Sequence, residues 1–133
     1  MIEKELINLL LKKDFYEENK GRVTKEMFTN GTGNLYETIS RAHDDSEKDL
    51  SLEEVSTLHT EVYNPALTRT AKENFSSLIN EIKEQEIPNK KIAGNILKAM
   101  HKRNIAQQIA VAATEIYNGK DQDLSSIQSF IDQ

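Results

Sequence analysis

The sequence predicts an all-α protein: a compact multi-helix bundle followed by a long helical hairpin. Three observations carry this. Apolar residues recur at helical spacing along nearly the whole chain. The 133 residues hold 5 Gly and 2 Pro, too few for the many tight turns of an all-β protein. Residues 89–118 contain no Pro and a single Gly, Gly94. About thirty residues can therefore form one helix, against a mean of about 12.

The elements follow in order. Ile2, Leu6, Leu9 and Leu10 fall at i, i+4, i+7 and i+8, one face of a first helix, closed by Leu11-Lys-Lys with cations at the negative end of its dipole. Asp14, with Glu17 three residues on, predicts the cap of a short helix ending near Gly21. Thr24-Lys-Glu-Met-Phe28 can make one capped turn, and Asn30-Gly-Thr-Gly-Asn34 is expected to be a loop. A helix is then expected from about Leu35, with Leu35, Tyr36, Ile39 and Ala42 on one side. A charged connector, residues 44–49, leads to Ser51-Leu-Glu-Glu54, a capping box. It opens a helix expected to face Leu52, Val55, Leu58 and Val62 inward, and Asn64-Pro65 breaks it. Leu67, Ala71, Phe75, Leu78 and Ile82 mark the next helix, ended by Ile87-Pro88.

The last third divides the chain into residues 1–87, a globular helical subdomain, and 88–133, a helical hairpin for self-association. Its long arm stops at Asn118-Gly119, and Asp121 or Asp123 caps a short arm with Leu124, Ile127, Phe130 and Ile131 on one face. Projected at about 100° per residue, the apolar stripe of the long arm rotates. Ile92, Ile96, Ala99 and Met100 form one cluster, and Ile105, Ile109, Ala112, Ala113 and Ile116 another. A helix packed on one body keeps one stripe. A stripe that swings is expected to serve two: the body first, then the short arm and another chain. The small residues Ala106, Ala110, Ala112 and Ala113 allow close helix–helix approach.

The net charge is −5, which argues against tight, nonspecific binding to nucleic acid. The charge is also uneven. Residues 1–86 carry 18 acids and 11 bases, residues 87–114 no acid and five bases (Lys90, Lys91, Lys98, Lys102, Arg103), and residues 115–133 four acids and one base. Lys98, Lys102 and Arg103 are the candidates to steer an acidic partner or a subunit's own acidic face.

No catalytic constellation is visible, and no cofactor or metal is expected. Cys is absent, so there are no disulfides, thiolate metal sites or thiol nucleophiles. No P-loop, dinucleotide fingerprint or nucleophile elbow occurs. His43, His59 and His101 fall on different elements with no ligand spacing. Asp44, Asp45, Glu47 and Asp49 are expected to be solvated charge, and Asn118-Gly-Lys-Asp-Gln-Asp123 lacks the sixth-position Gly and closing Glu of an EF-hand. Acids ahead of a short apolar run at the N-terminus do not make a signal peptide, and no run of about 18 apolar residues spans a membrane; the expectation is a cytoplasmic protein. A helix-turn-helix across the helices either side of Asn64-Pro65 is the DNA-binding alternative, but the second helix balances Arg69 and Lys72 with Glu73, Glu81 and Glu84.

The stretches Glu3-Lys-Glu-Leu-Ile-Asn-Leu-Leu-Leu11, Val23-Thr-Lys-Glu-Met-Phe28, Asn34-Leu-Tyr-Glu-Thr-Ile39 and Leu50-Ser-Leu-Glu-Glu-Val55, and above all Ile96-Leu-Lys-Ala-Met-His-Lys-Arg-Asn-Ile-Ala-Gln-Gln-Ile-Ala-Val-Ala-Ala-Thr-Glu-Ile-Tyr117, carry a likeness. Together with the order of elements, they resemble the N-terminal domain of DnaB-type hexameric replicative helicases, bacteriophage versions included. Residues 63–86 depart most from that pattern. The helicase-binding domain of primases is similar in fold, and a start at Met1 favours the helicase. The resemblance implies a non-catalytic assembly module. Such domains pair through the hairpin, form a collar of six as a trimer of dimers, and dock primase or a helicase loader. The ATP-hydrolysing motor would lie outside this sequence. On this basis Ile105, Ile109, Ala112, Ala113, Ile116, Leu124, Ile127 and Ile131 are the expected self-association seam. Direct nucleic-acid binding is expected to be weak or absent.

Overall fold

A computed structural model describes residues 2–119, 128 and 131. Among these the protein is all-helical, with no strand. The helices are α1 (Ile2–Leu10), α2 (Lys13–Asn19), α3 (Asn30–Asp44), α4 (Leu52–Thr57), α5 (Arg69–Lys83) and α6 (Lys90–Tyr117). Two 3-10 turns, Lys20–Arg22 and Lys25–Met27, link α2 to α3, and a π-helical turn, Leu58–Tyr63, extends α4. No helix among the described residues is long and apolar enough to cross a membrane.

The core forms around α1. Leu6, Ile7, Leu9, Leu10 and the following Leu11 are all buried, because α2, α3 and α5 cover α1 from three sides. Polar contacts join α1 to α5: Lys4 Nζ lies 2.6 Å from Glu81 Oε2, and Asn8 Nδ2 donates to the Ile82 carbonyl at 3.0 Å.

Helix α2 starts at Lys13, not after an Asp14 cap. The open Lys13 N–H is satisfied from a distance, by Asp49 Oδ1 at 2.9 Å. That frees Asp14 to accept the Phe15 N–H at 2.7 Å and to lie 3.3 Å from Lys90 Nζ.

Residues 30–34, expected to be a loop, are the first turn of α3. Thr29 precedes it in extended backbone, and Glu3 accepts both its N–H (2.8 Å) and its hydroxyl (3.0 Å). The glycine that looked like a turn signal answers to packing. A Cβ on Gly33 would sit 2.9 Å from the Lys25 carbonyl oxygen, so the 3-10 turn at Lys25–Met27 can cross α3 only where there is no side chain.

The Ser51 capping box forms as expected, with Glu54 N–H donating to Ser51 Oγ and Ser51 N–H to Glu54 Oε1, both at 3.1 Å. Leu52 and Val55 are buried. Val62, expected to face inward, is 59% exposed, and His59 is buried in its stead. The cause is the π-helical turn: its wider winding shifts the inward face after Leu58 away from the α-helical stripe.

Helix α6 is capped by Asn89, whose Oδ1 accepts the N–H groups of Lys91 (2.9 Å) and Ile92 (3.2 Å). It ends at the expected stop, where Asn118 N–H donates to the Thr114 carbonyl, Gly119 N–H donates to the Ile116 carbonyl and Gly119 has φ 77°. The first half packs on α2 and both 3-10 turns. Ala93 and Leu97 are fully buried in the same cluster as α1, flanked by Ile96 and Met100. The inward face is thus turned from the expected one: Ile92 is 58% exposed and Ala99 is exposed. The N-terminal half of α6 shares the core of residues 1–87. Gln128 and Ile131, the described residues beyond Gly119, are helical.

Candidate functional site

The core ends partway along α6. Beyond Asn104 the residues fall into three groups. Ala112 is buried, Ile105, Ile109 and Ile116 are half-buried, and Ala106, Ala110, Val111, Ala113 and Tyr117 are exposed. Ile105, Ile109, Ala112 and Ile116 repeat at i, i+4, i+7 and i+11, an arc of about 60°, turned by roughly 120° from the direction of Ala93 and Leu97. This spacing is the one that two helices packed side by side use. Ala113 stands off that arc, on the exposed side. Of the seam residues expected from the short arm, Leu124 and Ile127 lie outside the described residues, and Ile131 is 57% exposed.

The spacing holds locally because nothing breaks α6 there. Gln108 Nε2 donates to Asn104 Oδ1 at 2.6 Å, and the Thr114 hydroxyl donates to the Ala110 carbonyl at 2.9 Å, so both polar side chains are satisfied within the helix. Lys98, Lys102 and Arg103 are exposed and take part in no ion pair among the described residues.

A second feature was not legible in the sequence. Two adjoining cavities, of 560 and 490 Å³, run beside α3 and share Asn34, His59 and Leu67. The His59 ring is stacked on Phe75 with centroids 3.9 Å apart, and its Nδ1 lies 2.7 Å from Thr38 Oγ1. Burial holds His59 below the usual histidine range. Arg41 lies over the Tyr63 ring, 4.0 Å from its centroid, and burial pushes the Tyr36 phenol up to about 12. These groups are positioned by packing, and charges of both signs line the larger cavity (Lys25, Arg41, Glu37, Asp44).

The three histidines do not converge. His43 is buried, stacked on Tyr16, and its Nε2–H donates to the Leu10 carbonyl at 2.7 Å; His59 lies against Phe75; His101 is half-buried on α6. No group of three metal-ligating side chains is brought together among the described residues. The helix of the helix-turn-helix alternative, α5, has its cations engaged: Arg69 with Glu73, Lys72 with Glu61 and Lys83 with Glu53.

No protein-family model, curated protein or solved structure matches the chain.

Proposed function

We propose that this chain is a non-catalytic assembly and interaction domain, of the kind found at the N-terminus of DnaB-type replicative helicases. In this role it pairs through the distal half of α6, contributes to a collar above a motor that lies elsewhere, and docks a primase or helicase loader. One observation carries the proposal: a 28-residue helix is anchored by its first half and presents a second apolar seam, Ile105, Ile109, Ala112 and Ile116, facing away from the body's core. A helix that served the body alone would keep one stripe.

The test is self-association. Burying one Ile contributes about 1.5–3 kcal/mol, so Ile109→Asp is expected to weaken pairing about tenfold or more while leaving the body folded. Sedimentation of the wild type as a monomer at high concentration would remove the pairing element. Docking is tested by co-sedimentation with a replicative primase and, separately, a helicase loader. A primase helicase-binding domain is the second reading. The resemblance is shared between the two, and binding to a helicase but to no primase would favour it.

A further inference from the structure

The ionised groups of this protein sort themselves by place. Eight ion pairs form among the described residues, and none uses Lys91, Lys98, Lys102 or Arg103 on α6, nor Asp44 at the end of α3 or Asp45 and Glu47 in the connector that follows it. All seven side chains are exposed. Lys91, Lys98 and Lys102 repeat at i, i+7 and i+11, which places them within about 40° of one another along roughly 16 Å of helix. Beside them lies a crevice of 300 Å³ between α6 and α2, lined by Asn19, Arg22, Lys90, Lys91, Asn95 and Lys98, among others, with Glu18 the one acid at its edge. Its wall is open at Gly94, where a Cβ would meet nothing within 4 Å. The crevice can therefore admit a carboxylate side chain from outside.

We propose that this basic face of α6, around Lys91, Lys98 and Lys102, docks the acidic segment 44–49 of a second copy of the chain. The complementarity has both halves in one molecule. Segment 44–49 reads Asp-Asp-Ser-Glu-Lys-Asp, four acids against one base. It is a compact turn off the end of α3, with the Asp45 N–H donating to the Ala42 carbonyl at 3.2 Å and the Ser46 N–H to the His43 carbonyl at 3.3 Å, so Asp44, Asp45 and Glu47 stand exposed within one short stretch. Asp49 Oδ1 accepts the Lys13 N–H at 2.9 Å, which fixes one end of the segment to the body. A second copy fits better than a nucleic acid. Outside residues 87–114 the chain carries 22 acids and 12 bases, so a long polyanion leaving the basic face meets a repelling surface, whereas a short acidic segment does not. The contact joins two different surfaces, so it is heterologous and propagates into a ring or chain. It rests on the self-association in the collar reading but uses a surface separate from the apolar seam.

The experiment is sedimentation velocity at about 0.05 M and about 0.5 M salt on the wild type and three variants: Lys98→Glu/Lys102→Glu, Asp45→Lys/Glu47→Lys and Ile109→Asp. The expected result is a wild-type association that falls at high salt and is weakened about tenfold or more by either double reversal. Mixing the two reversed proteins one to one should restore it, because each then meets the other's swapped sign. The restoration also shows that both variants are folded. Association indifferent to salt and to both reversals, or a mixture that fails to restore it, overturns the proposal. So does binding of a labelled single-stranded oligonucleotide that Lys98→Glu/Lys102→Glu abolishes, if the connector reversal leaves self-association intact. The Ile109→Asp arm separates the two surfaces. If it keeps the salt-sensitive association and nothing else changes, the polar contact stands and the seam falls. If only salt-insensitive pairing is seen, and Ile109→Asp removes it, the seam stands and the polar contact falls.

Discussion

Helix α1 and the distal half of α6 use similar residues to opposite ends. In α1, Leu6, Ile7, Leu9 and Leu10 are each at most 1% exposed, because three helices meet on a nine-residue element. In α6 beyond Asn104, only Ala112 is comparably buried, and Val111 and Tyr117 stand 53% and 90% exposed. Aliphatic content does not separate the two. What differs is how many neighbours the chain brings to each. Burial is a property of the surroundings, and a well-formed helix that runs past its surroundings becomes a surface for something else.

This contrast can be broken from either side. The largest effect should come from the anchor. Leu97→Ala removes a fully buried side chain that α6 shares with the α1 core, and should cost about 2–5 kcal/mol in chemical denaturation; a loss below 1 kcal/mol would mean the α6 anchor is not part of the cooperative core. Next, Ile109→Asp should leave the denaturation midpoint almost unchanged while weakening pairing through the seam about tenfold or more, a shift the ultracentrifuge reads directly. A fall in stability like that of Leu97→Ala would erase the distinction between the halves. Gly33→Ala tests the packing of the body, since its Cβ meets a backbone oxygen at 2.9 Å; overpacking of this kind costs about 1–3 kcal/mol, visible as a lowered Tm.

The pH dependence sharpens the contrast further. Burial holds His43 below the usual histidine range; its carbonyl partner Leu10, together with Glu17 and Asp49, pulls the other way, and Lys13 adds to the lowering. His59 is lowered by burial as well. The unfolded chain therefore takes up protons that the folded body refuses. Stability should be level above about pH 6.5 and fall as pH drops below it. His43→Leu should flatten that acid slope in denaturation series, and an unchanged slope would clear His43 of any part in it. The smallest effect belongs to the cap: Ser51→Ala should cost about 1 kcal/mol, read in the same series.

Local signals made most of this fold legible. The Ser51–Glu54 box and the Asn118-Gly119 stop each reside within a few residues, and α4 begins and α6 ends where these signals place them. Most of the misses come from contact between separate parts of the chain, and one from a local change of winding. Asp49 satisfies Lys13 across 36 residues. Gly33 is small on account of Lys25. His59 replaces Val62 inside because a π-helical turn changed the winding. Ala93 and Leu97, rather than Ile92 and Ala99, face the core because the neighbours of α6 approach from that side. Of the candidate seam, the i, i+4, i+7, i+11 arc was readable, whereas the exposure of Ala113 followed only from the structure.

The burial of Ala93 and Leu97 also has a bearing on synthesis. A ribosome makes α1 through α5 before these two residues exist, so the nascent body waits with a gap in its core. When α6 emerges, its first half fills that gap and its far half is carried out to its station in the same event. A chain whose body has not closed cannot hold out the distal half of α6 in its native orientation, so the order of synthesis sets when that apolar arc takes its place.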